Sequence, residues 1–184
     1  MTYTQRLNYF TKPRTWEAGE DRLRWREEDS EGEIPFGDIV AVRLKYAPTR
    51  TERSRVLLRI QTKTGVSEIS NIDWQGPLSS TDQKDEFIAF VDLLHARIAA
   101  AGVEVEFASG SSMGAYVGNW ILTVFVGLVI IGAGIFLLVS GMFVIVLIKV
   151  LLILFYLPTL FRFLKRNYPC RYDPNTVPWQ RIIS

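Results

Sequence analysis

Two long apolar runs in the second half of the chain constrain its fold more than any other sequence feature. Residues 117–138 are 22 uncharged residues, and residues 142–161 contain Lys149 as their single charge. At 1.5 Å per residue, each run is roughly 30 Å long as a helix, which is the thickness of the hydrocarbon core of a bilayer. Ser140 and Gly141 can reverse the chain between the runs, since glycine adopts backbone angles that other residues avoid. The sequence therefore predicts a two-helix transmembrane hairpin over residues 117–163.

Basic residues beside the second run indicate how the hairpin is oriented. Arg162, Lys165 and Arg166 follow it directly, and positive charges next to a span stay on the cytoplasmic side. Two crossings then place both chain ends in the cytoplasm. The first residues have no apolar core of the signal-peptide type, so we expect the first domain to stay on the side where it is made. These features predict a multi-pass membrane protein with two crossings.

Three residues inside the hairpin are candidates for intramembrane contacts: Lys149, Gly127 and Gly134. A charge deep in the bilayer costs at least ~2.5–3.5 kcal/mol on insertion scales, and the nearest acids along the chain, Glu106 and Asp173, lie outside the spans. Snorkelling to the outer surface, a neutral amine, water with backbone carbonyls, or an acidic residue of another chain would each meet that cost. Small residues such as the two glycines let helices approach closely. They predict packing of the two helices on each other, or contact with another subunit.

The first part of the chain alternates in the manner of half-buried strands and then changes to a helical period. We predict strands at residues 21–27, 39–46, 53–62 and 65–70, another near residues 4–10, and a short one at 103–107. Val40, Val42, Leu44 and Tyr46 are predicted to face inward. A helix follows, with Ser80 and Gln83 as a capping box and Gly102 as its stop. Its apolar stripe consists of Phe87, Phe90, Val91, Leu94 and Ile98. The predicted fold class is α+β: an antiparallel sheet covered by one helix, followed by the α-helical hairpin.

Several short segments of this domain resemble a known family. The segments are "LRWRE", "GEIPFGDIVAVRLKY", "TKTG" in a hairpin and "FVDLLHARI" in the closing helix. Together they resemble the bacterial pleckstrin-homology-like domains found in small membrane proteins, over roughly residues 2–106. The resemblance implies a PH-like sheet or barrel that binds or scaffolds without catalysis. The expected organisation is a cytoplasmic domain at 1–108, a linker at 109–116, the hairpin, and a basic tail at 164–184.

Cations alternate with the apolar residues of three predicted strands. If these strands lie side by side, eight cations emerge on one face. Each cation would contribute about 1 kcal/mol to binding that face to anionic lipid headgroups. An acidic protein would fit equally well, and so would a solvated face neutralised by glutamates on neighbouring strands. Nucleic acid is not expected, because residues 1–107 hold 15 Lys and Arg against 18 Asp and Glu. The eight residues are Arg22, Arg24, Arg26, Arg43, Lys45, Arg53, Arg55 and Arg59.

The chain has few residues from which to build a catalytic site. It has one histidine, His95, and one cysteine, Cys170, which together provide neither a metal cluster nor a catalytic triad. We expect His95 at the edge of the helix stripe with an ordinary hydrogen bond. No catalytic residue, metal or cofactor is predicted. The tail, interrupted by three prolines, is expected to lie on the membrane, to pack back on its own domain, or to dock a partner.

These observations favour a non-enzymatic scaffold or accessory subunit of a membrane protein assembly. One alternative is a membrane-tethered lipid- or ligand-binding module that uses the basic face. A second is a small oligomeric transporter or channel component. The expected partners are membrane lipids and other membrane-protein subunits, or a second copy of the chain.

Overall fold

The computed structural model describes residues 1–77, 79–141 and 143–183. The chain divides into two units. The first joins Met1–Gly110 to Cys170–Ser184, and the second is Ser111–Pro169. Met142, the first residue of the predicted second helix, lies outside the described residues.

Four antiparallel strands form the first sheet of the first unit. Tyr3, Trp16 and Trp25 stand opposite one another on three neighbouring strands, and Trp16 is fully buried. This row of aromatic side chains marks the face that turns to the core. The strands, in both chain order and spatial order, are β1 (Thr2–Gln5), β2 (Arg14–Ala18), β3 (Arg22–Arg26) and β4 (Glu31–Pro35).

The second sheet has five strands in the order β11-β10-β5-β6-β7. Its pairs are antiparallel except for β10 with β5, which run parallel. Leu44 and Leu58 face each other across β5 and β6 and are fully buried. The strands are β5 (Ile39–Tyr46), β6 (Val56–Thr62), β7 (Val66–Ser70), β10 (Glu106–Ser109) and β11 (Cys170–Arg171), and a separate hairpin holds β8 (Ile72–Gly76) and β9 (Ser79–Asp82).

One inward residue of β5 was predicted wrongly. Val42, Leu44 and Tyr46 are buried as expected, but Val40 is 47% exposed. The register with β6 shifts between Ile39 and Ala41, and such a bulge reverses the side to which the residues before it point. Ile39 is therefore buried in place of Val40.

The helix α1 (Lys84–Ala100) covers the sheets with an apolar stripe. Phe87, Phe90 and Leu94 are fully buried within the same cluster as the strand residues. Gly102 follows the helix with φ +66°, the left-handed conformation that favours glycine at a helix end. The capping box is wrong, because Ser80 belongs to β9 and the N-cap residue Gln83 makes no side-chain capping hydrogen bond.

Of the predicted tail at 164–184, the part Cys170–Ser184 belongs to the first unit, whereas residues 164–166 continue α3. The first two residues of that part form β11, and the short helix α4 (Trp179–Ile183) follows. Ile182 is buried in the same cluster as the sheets and α1, and Tyr172 packs partly buried against that cluster. Of the three placements that the sequence leaves open for the tail, the structure shows the one in which it packs back on its own domain.

The second unit consists of two helices in contact, α2 (Met113–Val139) and α3 (Phe143–Arg166). Both are long and apolar enough to cross a membrane by length and composition. Ser112 caps α2 through its hydroxyl, and Gly141 with φ +77° forms the turn after it. The helix α2 begins at Met113, before the first apolar run, and α3 continues past the second run to Arg166. The predicted fold class is confirmed: an α+β domain followed by two apolar helices.

Candidate functional site

The arginines of β3 lie on the outer face of the first sheet and are matched by acids. Leu23 between them is fully buried. Arg24 stands opposite Glu17 on one neighbouring strand and Glu33 on the other. Since opposite charges pair across strands, this part of the predicted basic face is electrically balanced.

Two of these arginines also form ion pairs. Arg22 Nη1 lies 2.7 Å from Glu33 Oε1, and Arg22 Nη2 lies 2.8 Å from Asp21 Oδ2. The hydrogen bonds that Arg22 donates to Asp21 and Glu33 raise the pKa of Arg22, and the one that Asp21 accepts lowers the pKa of Asp21. Arg26 Nε is 3.4 Å from Glu31 Oε2. Exposed pairs of this kind add little stability, but they leave little net positive charge for a ligand.

The cations of β5 and β6 lie on a different sheet. Arg43 stands directly opposite Arg59, and Arg171 on β11 continues the same row beyond Ala108. Acids lie at the two ends of the row, since Arg59 Nε is 3.8 Å from Glu68 Oε1 and Arg171 Nε is 3.2 Å from Glu106 Oε1. We call Arg43, Arg59 and Arg171 the second-sheet basic row. Lys45 lies two residues beyond Arg43 on β5, opposite Leu57.

Arg53 and Arg55 precede β6 and serve the fold. The Arg53 carbonyl accepts a hydrogen bond of 2.7 Å from the Tyr46 hydroxyl. Arg55 is half-buried and donates from Nη2 to the carbonyl of Leu7 at 3.3 Å. Burial lowers the pKa of Arg55. Its charge is therefore turned partly into the domain.

The eight cations consequently do not form one face. The strand β3 pairs with β2 and β4, whereas β5 pairs with β6 and β10, so the assumption that the three strands lie side by side is wrong. Sequence periodicity finds which side of each strand is polar but not which strands are neighbours. A binding role for any of these residues stays a prediction.

A feature that the sequence reasoning missed is a cation held between two tryptophans. The Arg14 guanidinium lies 4.4 Å from the centre of the Trp25 ring and 5.3 Å from that of Trp16. Its Nη2 is also 2.7 Å from Glu27 Oε1. Arg14 lines a cleft with Lys12 and Glu27, and its charge is neutralised there. The sequence signal for this strand is the alternation in "RTWEA", which is too short to stand out.

His95 is fully buried, which corrects its predicted position at the edge of the helix stripe. Its Nδ1 lies 2.7 Å from the Val91 carbonyl oxygen and its Nε2 lies 2.9 Å from the Tyr172 hydroxyl. Because a carbonyl can only accept, Nδ1 carries the proton and Nε2 accepts from Tyr172. Burial lowers the pKa of His95 to about 4, so the ring is neutral at pH 7. Nδ1 is thus bound within α1, and Nε2 holds Tyr172 of the tail.

A second polar contact fixes the tail on α1. Trp179 Nε1 donates to Asp92 Oδ1 at 2.9 Å, and the Trp179 ring meets the Phe87 ring edge-on with centroids 6.2 Å apart. Tyr172 lies between His95 and Phe107. The interleaved aromatic residues of the tail are thus packing residues of the domain.

Within the second unit, the two glycines and the lysine occupy different surroundings. Gly127 and Gly134 are half-buried, as are Thr123 and Leu137 on the same side of α2. A methyl group added at either glycine would meet no atom within 4 Å, so the helices do not need glycine there to approach each other. Lys149 is exposed on α3. A common role for these three residues stays a prediction.

Comparison with known proteins assigns no family. No family model matches the chain, and no curated protein matches it. Among solved structures, it is similar to a chain in the "Structure of the Spt16D Pob3N heterodimer", with a TM-score of 0.39 and 13% sequence identity. The match covers 62% of this chain and 57% of that chain. A similarity of this extent carries no conclusion about activity or partners.

Proposed function

We propose that this chain is a bacterial inner-membrane protein that acts as a non-enzymatic scaffold or accessory subunit of a membrane assembly. A PH-like domain, completed by the tail, stands on the cytoplasmic side, and the hairpin of α2 and α3 anchors it. The observation that supports this most is the return of the tail to the domain.

The two attachment points of the hairpin are neighbours on one sheet. Ser109 on β10 stands opposite Cys170 on β11, and Gly110 N donates to the Leu44 carbonyl at 2.7 Å. The chain therefore leaves the domain and re-enters it at the same place. A segment with both ends in one folded domain must cross a membrane an even number of times. Two crossings agree with two helices of suitable length.

The orientation rests on charge. Arg162, Lys165 and Arg166 lie in the last turns of α3, on the domain side of the hairpin. Positive charges flanking a span are retained in the cytoplasm. The domain is then cytoplasmic, and only the turn at Ser140 and Gly141 reaches the other side.

The structural use of His95, a residue type that often serves in catalysis, supports a non-enzymatic role. His95 is the one histidine of the chain, and both of its ring nitrogens hold other groups of the domain. Among residues 1–77, 79–141 and 143–183, no group of His, Cys, Asp or Glu is arranged to hold a metal ion. We place the function of the domain in binding.

The second-sheet basic row favours the alternative of a tethered binding module for an anionic ligand. Arg43 and Arg59 are directly opposite each other, and like charges in that position are destabilising. Glu68 lies 3.8 Å from Arg59 at the end of the row, and an anion bound near the two arginines would reduce the repulsion further. Replacing Arg59 with Glu should then abolish retention of the full chain on an anionic resin. Arg24→Glu changes the net charge by the same amount and should leave retention unchanged.

The position of single thiols tests the topology. Cys170 is exposed and is the one cysteine of the chain. A membrane-impermeant maleimide should label it only after cells are opened. In the double variant Cys170→Ser, Ser140→Cys, the thiol moves to the turn, and we expect labelling of intact cells once the outer membrane is permeabilised. Labelling of Cys170 in those intact cells would contradict the proposal.

Mass measurement in mild detergent tests the scaffold role. The chain alone has a mass of 21.0 kDa. We expect it to be recovered in a larger assembly whose other components are identified by mass spectrometry. Recovery of the chain by itself under several mild conditions would count against a role as a subunit.

A further inference from the structure

Lys149 lies well inside the apolar length of α3. It follows Phe143 by six residues, about 9 Å along the helix, and precedes Arg162 by about 20 Å. The residues one turn away, Ile145 and Ile153, are apolar. The charge therefore sits inside the hydrocarbon region if the hairpin spans a bilayer.

Two polar side chains of the hairpin are satisfied by their own helix, and Lys149 is not. Thr123 Oγ1 donates to the Asn119 carbonyl at 2.8 Å, and Ser140 Oγ donates to the Phe136 carbonyl at 2.9 Å. Within the described part of the chain, Lys149 makes no hydrogen bond or ion pair. A lysine at this depth costs at least ~2.5 kcal/mol on insertion scales.

Snorkelling does not remove this cost. Helical side chains lean toward the amino end of their helix, which here is the turn side. The Lys149 ammonium is joined to its Cα through five bonds of about 1.5 Å, a reach of less than about 7.5 Å. That reach falls short of the distance of about 9 Å to the level of Phe143. The ammonium stays within the apolar layer.

The side of α3 that carries Lys149 is open to another helix. The half-buried positions of the apolar part of α3 include Val146 and Leu157, whereas Lys149 is exposed. Leu152, one turn further along the same side, is 53% exposed. Lys149 thus lies on the flank of the line formed by Val146 and Leu157, where its side chain is open to another helix.

A second copy of this chain cannot supply the missing counter-charge. Neither α2 nor α3 contains an aspartate or a glutamate. A second hairpin placed against the first would bring another lysine or an apolar surface to the same depth. Like charges in a medium of low dielectric constant repel strongly.

We propose that the surface of α3 around Lys149 docks a transmembrane helix of a different protein, one that carries an aspartate or glutamate within its own span. This rests on the proposed function, since it requires the hairpin to cross a membrane and join an assembly. An ammonium and a carboxylate that meet in the bilayer neutralise each other and satisfy their hydrogen bonds, as paired ionisable residues of membrane spans do.

Substitution at Lys149 in the full chain tests the pairing. Recovery of the partner in mild detergent should fall at least tenfold in Lys149→Leu and Lys149→Met, and Lys149→Arg should keep most of it because the charge is retained. Phe155 offers a matched control, since it is 76% exposed on a different side of α3. Phe155→Leu should change recovery less than twofold.

A hydrophobic carbodiimide gives a direct readout. Dicyclohexylcarbodiimide enters bilayers and activates a carboxyl group, and attack by the lysine amine then forms an amide and releases dicyclohexylurea. In native membranes we expect an adduct in which Lys149 is joined to an Asp or Glu of a second protein. The adduct should be absent from Lys149→Leu and Lys149→Arg.

The outcomes separate the two proposals. If the assembly forms and Lys149→Leu leaves it intact without any adduct, the carboxylate partner is rejected and the scaffold role stands. An adduct that joins Lys149 to a second copy of this chain also rejects the partner proposed here. If the wild-type chain is recovered alone, both proposals are rejected.

Discussion

Acidification should destabilise the first unit through His95. The pKa of this histidine is about 4 in the folded domain and about 6.5 in an unfolded chain. Between these values the unfolded chain binds more protons than the folded one. The contribution to stability is therefore complete above pH 6.5 and is lost as the pH falls toward 4.

The magnitude follows from the width of this window. One pH unit corresponds to about 1.36 kcal/mol for one group, so lowering the pH from 7 to 5 removes about 2 kcal/mol. For a unit of this size that is a fall in Tm of roughly 8 °C. Protonation would also turn Nε2 into a donor facing the Tyr172 hydroxyl, which now donates to it. Asp92 lies near the ring and opposes the shift only weakly.

Tryptophan fluorescence during thermal unfolding in detergent provides the assay, because four of the five tryptophans lie in the first unit. His95→Leu is the matched variant. It should be less stable than wild type at pH 7, since the buried Tyr172 hydroxyl loses its acceptor. Its loss of stability between pH 7 and pH 5 should be about 2 kcal/mol smaller, because carboxylates contribute equally to both proteins.

The single histidine also permits a direct measurement. One imidazole signal in the NMR spectrum of labelled protein reports the pKa of His95 without assignment, as the chain holds no other histidine. A measured pKa near or above 6.5 would refute the reasoning. Parallel losses of stability in wild type and His95→Leu would refute it as well.

Two packing predictions follow. Ile182→Ala should destabilise the first unit by about 2–5 kcal/mol, because Ile182 is 1% exposed in the core. Ile183 is partly buried, so Ile183→Ala should cost less stability. Equal effects of the two variants in urea unfolding would show that the tail does not enter the core. Gly32→Ala should lower stability by about 1–3 kcal/mol, because its Cβ would lie 2.7 Å from the Trp25 ring. Gly37→Ala, whose Cβ would meet no atom within 4 Å, serves as the control.

The elements that the sequence predicted well have one period and one buried side. The strands β5, β6 and β7 lie within their predicted segments, and α1 buries the predicted stripe of Phe87, Phe90 and Leu94. Both apolar helices follow from length and hydropathy alone. These signals are local, so no knowledge of neighbours is needed to read them.

The elements that were missed depend on their neighbours. No strand was predicted between residues 28 and 38, yet β4 begins there at Glu31. Its charged residues pair with arginines on β3. This segment therefore forms a strand because of its partner strand and not because of its own apolar pattern. The strand β2 was missed although Trp16 is buried at its centre, since Thr15 and Glu17 flank a single large apolar residue. Five-residue strands of this kind carry too few apolar positions to stand out.

The candidate basic face failed for a topological reason. Period-2 alternation assigns each cation to the outer side of its strand, and this held for Arg24 and Arg59. Which strands are adjacent depends on turns and on long-range pairing. The strands β10 and β5, for example, pair although α1 lies between them in the sequence. The sequence could therefore predict which side of each strand is polar but not that the cations divide between two sheets.

The return of the tail couples folding of the domain to formation of the hairpin. Ile182 and Tyr172 belong to the packing of the first unit, and both follow α3 in the chain. The Nε2 atom of His95 can accept its hydrogen bond from the Tyr172 hydroxyl only after Tyr172 has been synthesised and the chain has returned from the hairpin to the domain. Until then the apolar groups that Ile182 and Trp179 cover remain in contact with water. Removing the tail should thus expose part of the core rather than release a separate module, and the sheet that bears the second-sheet basic row is complete only when both ends of the hairpin are in place.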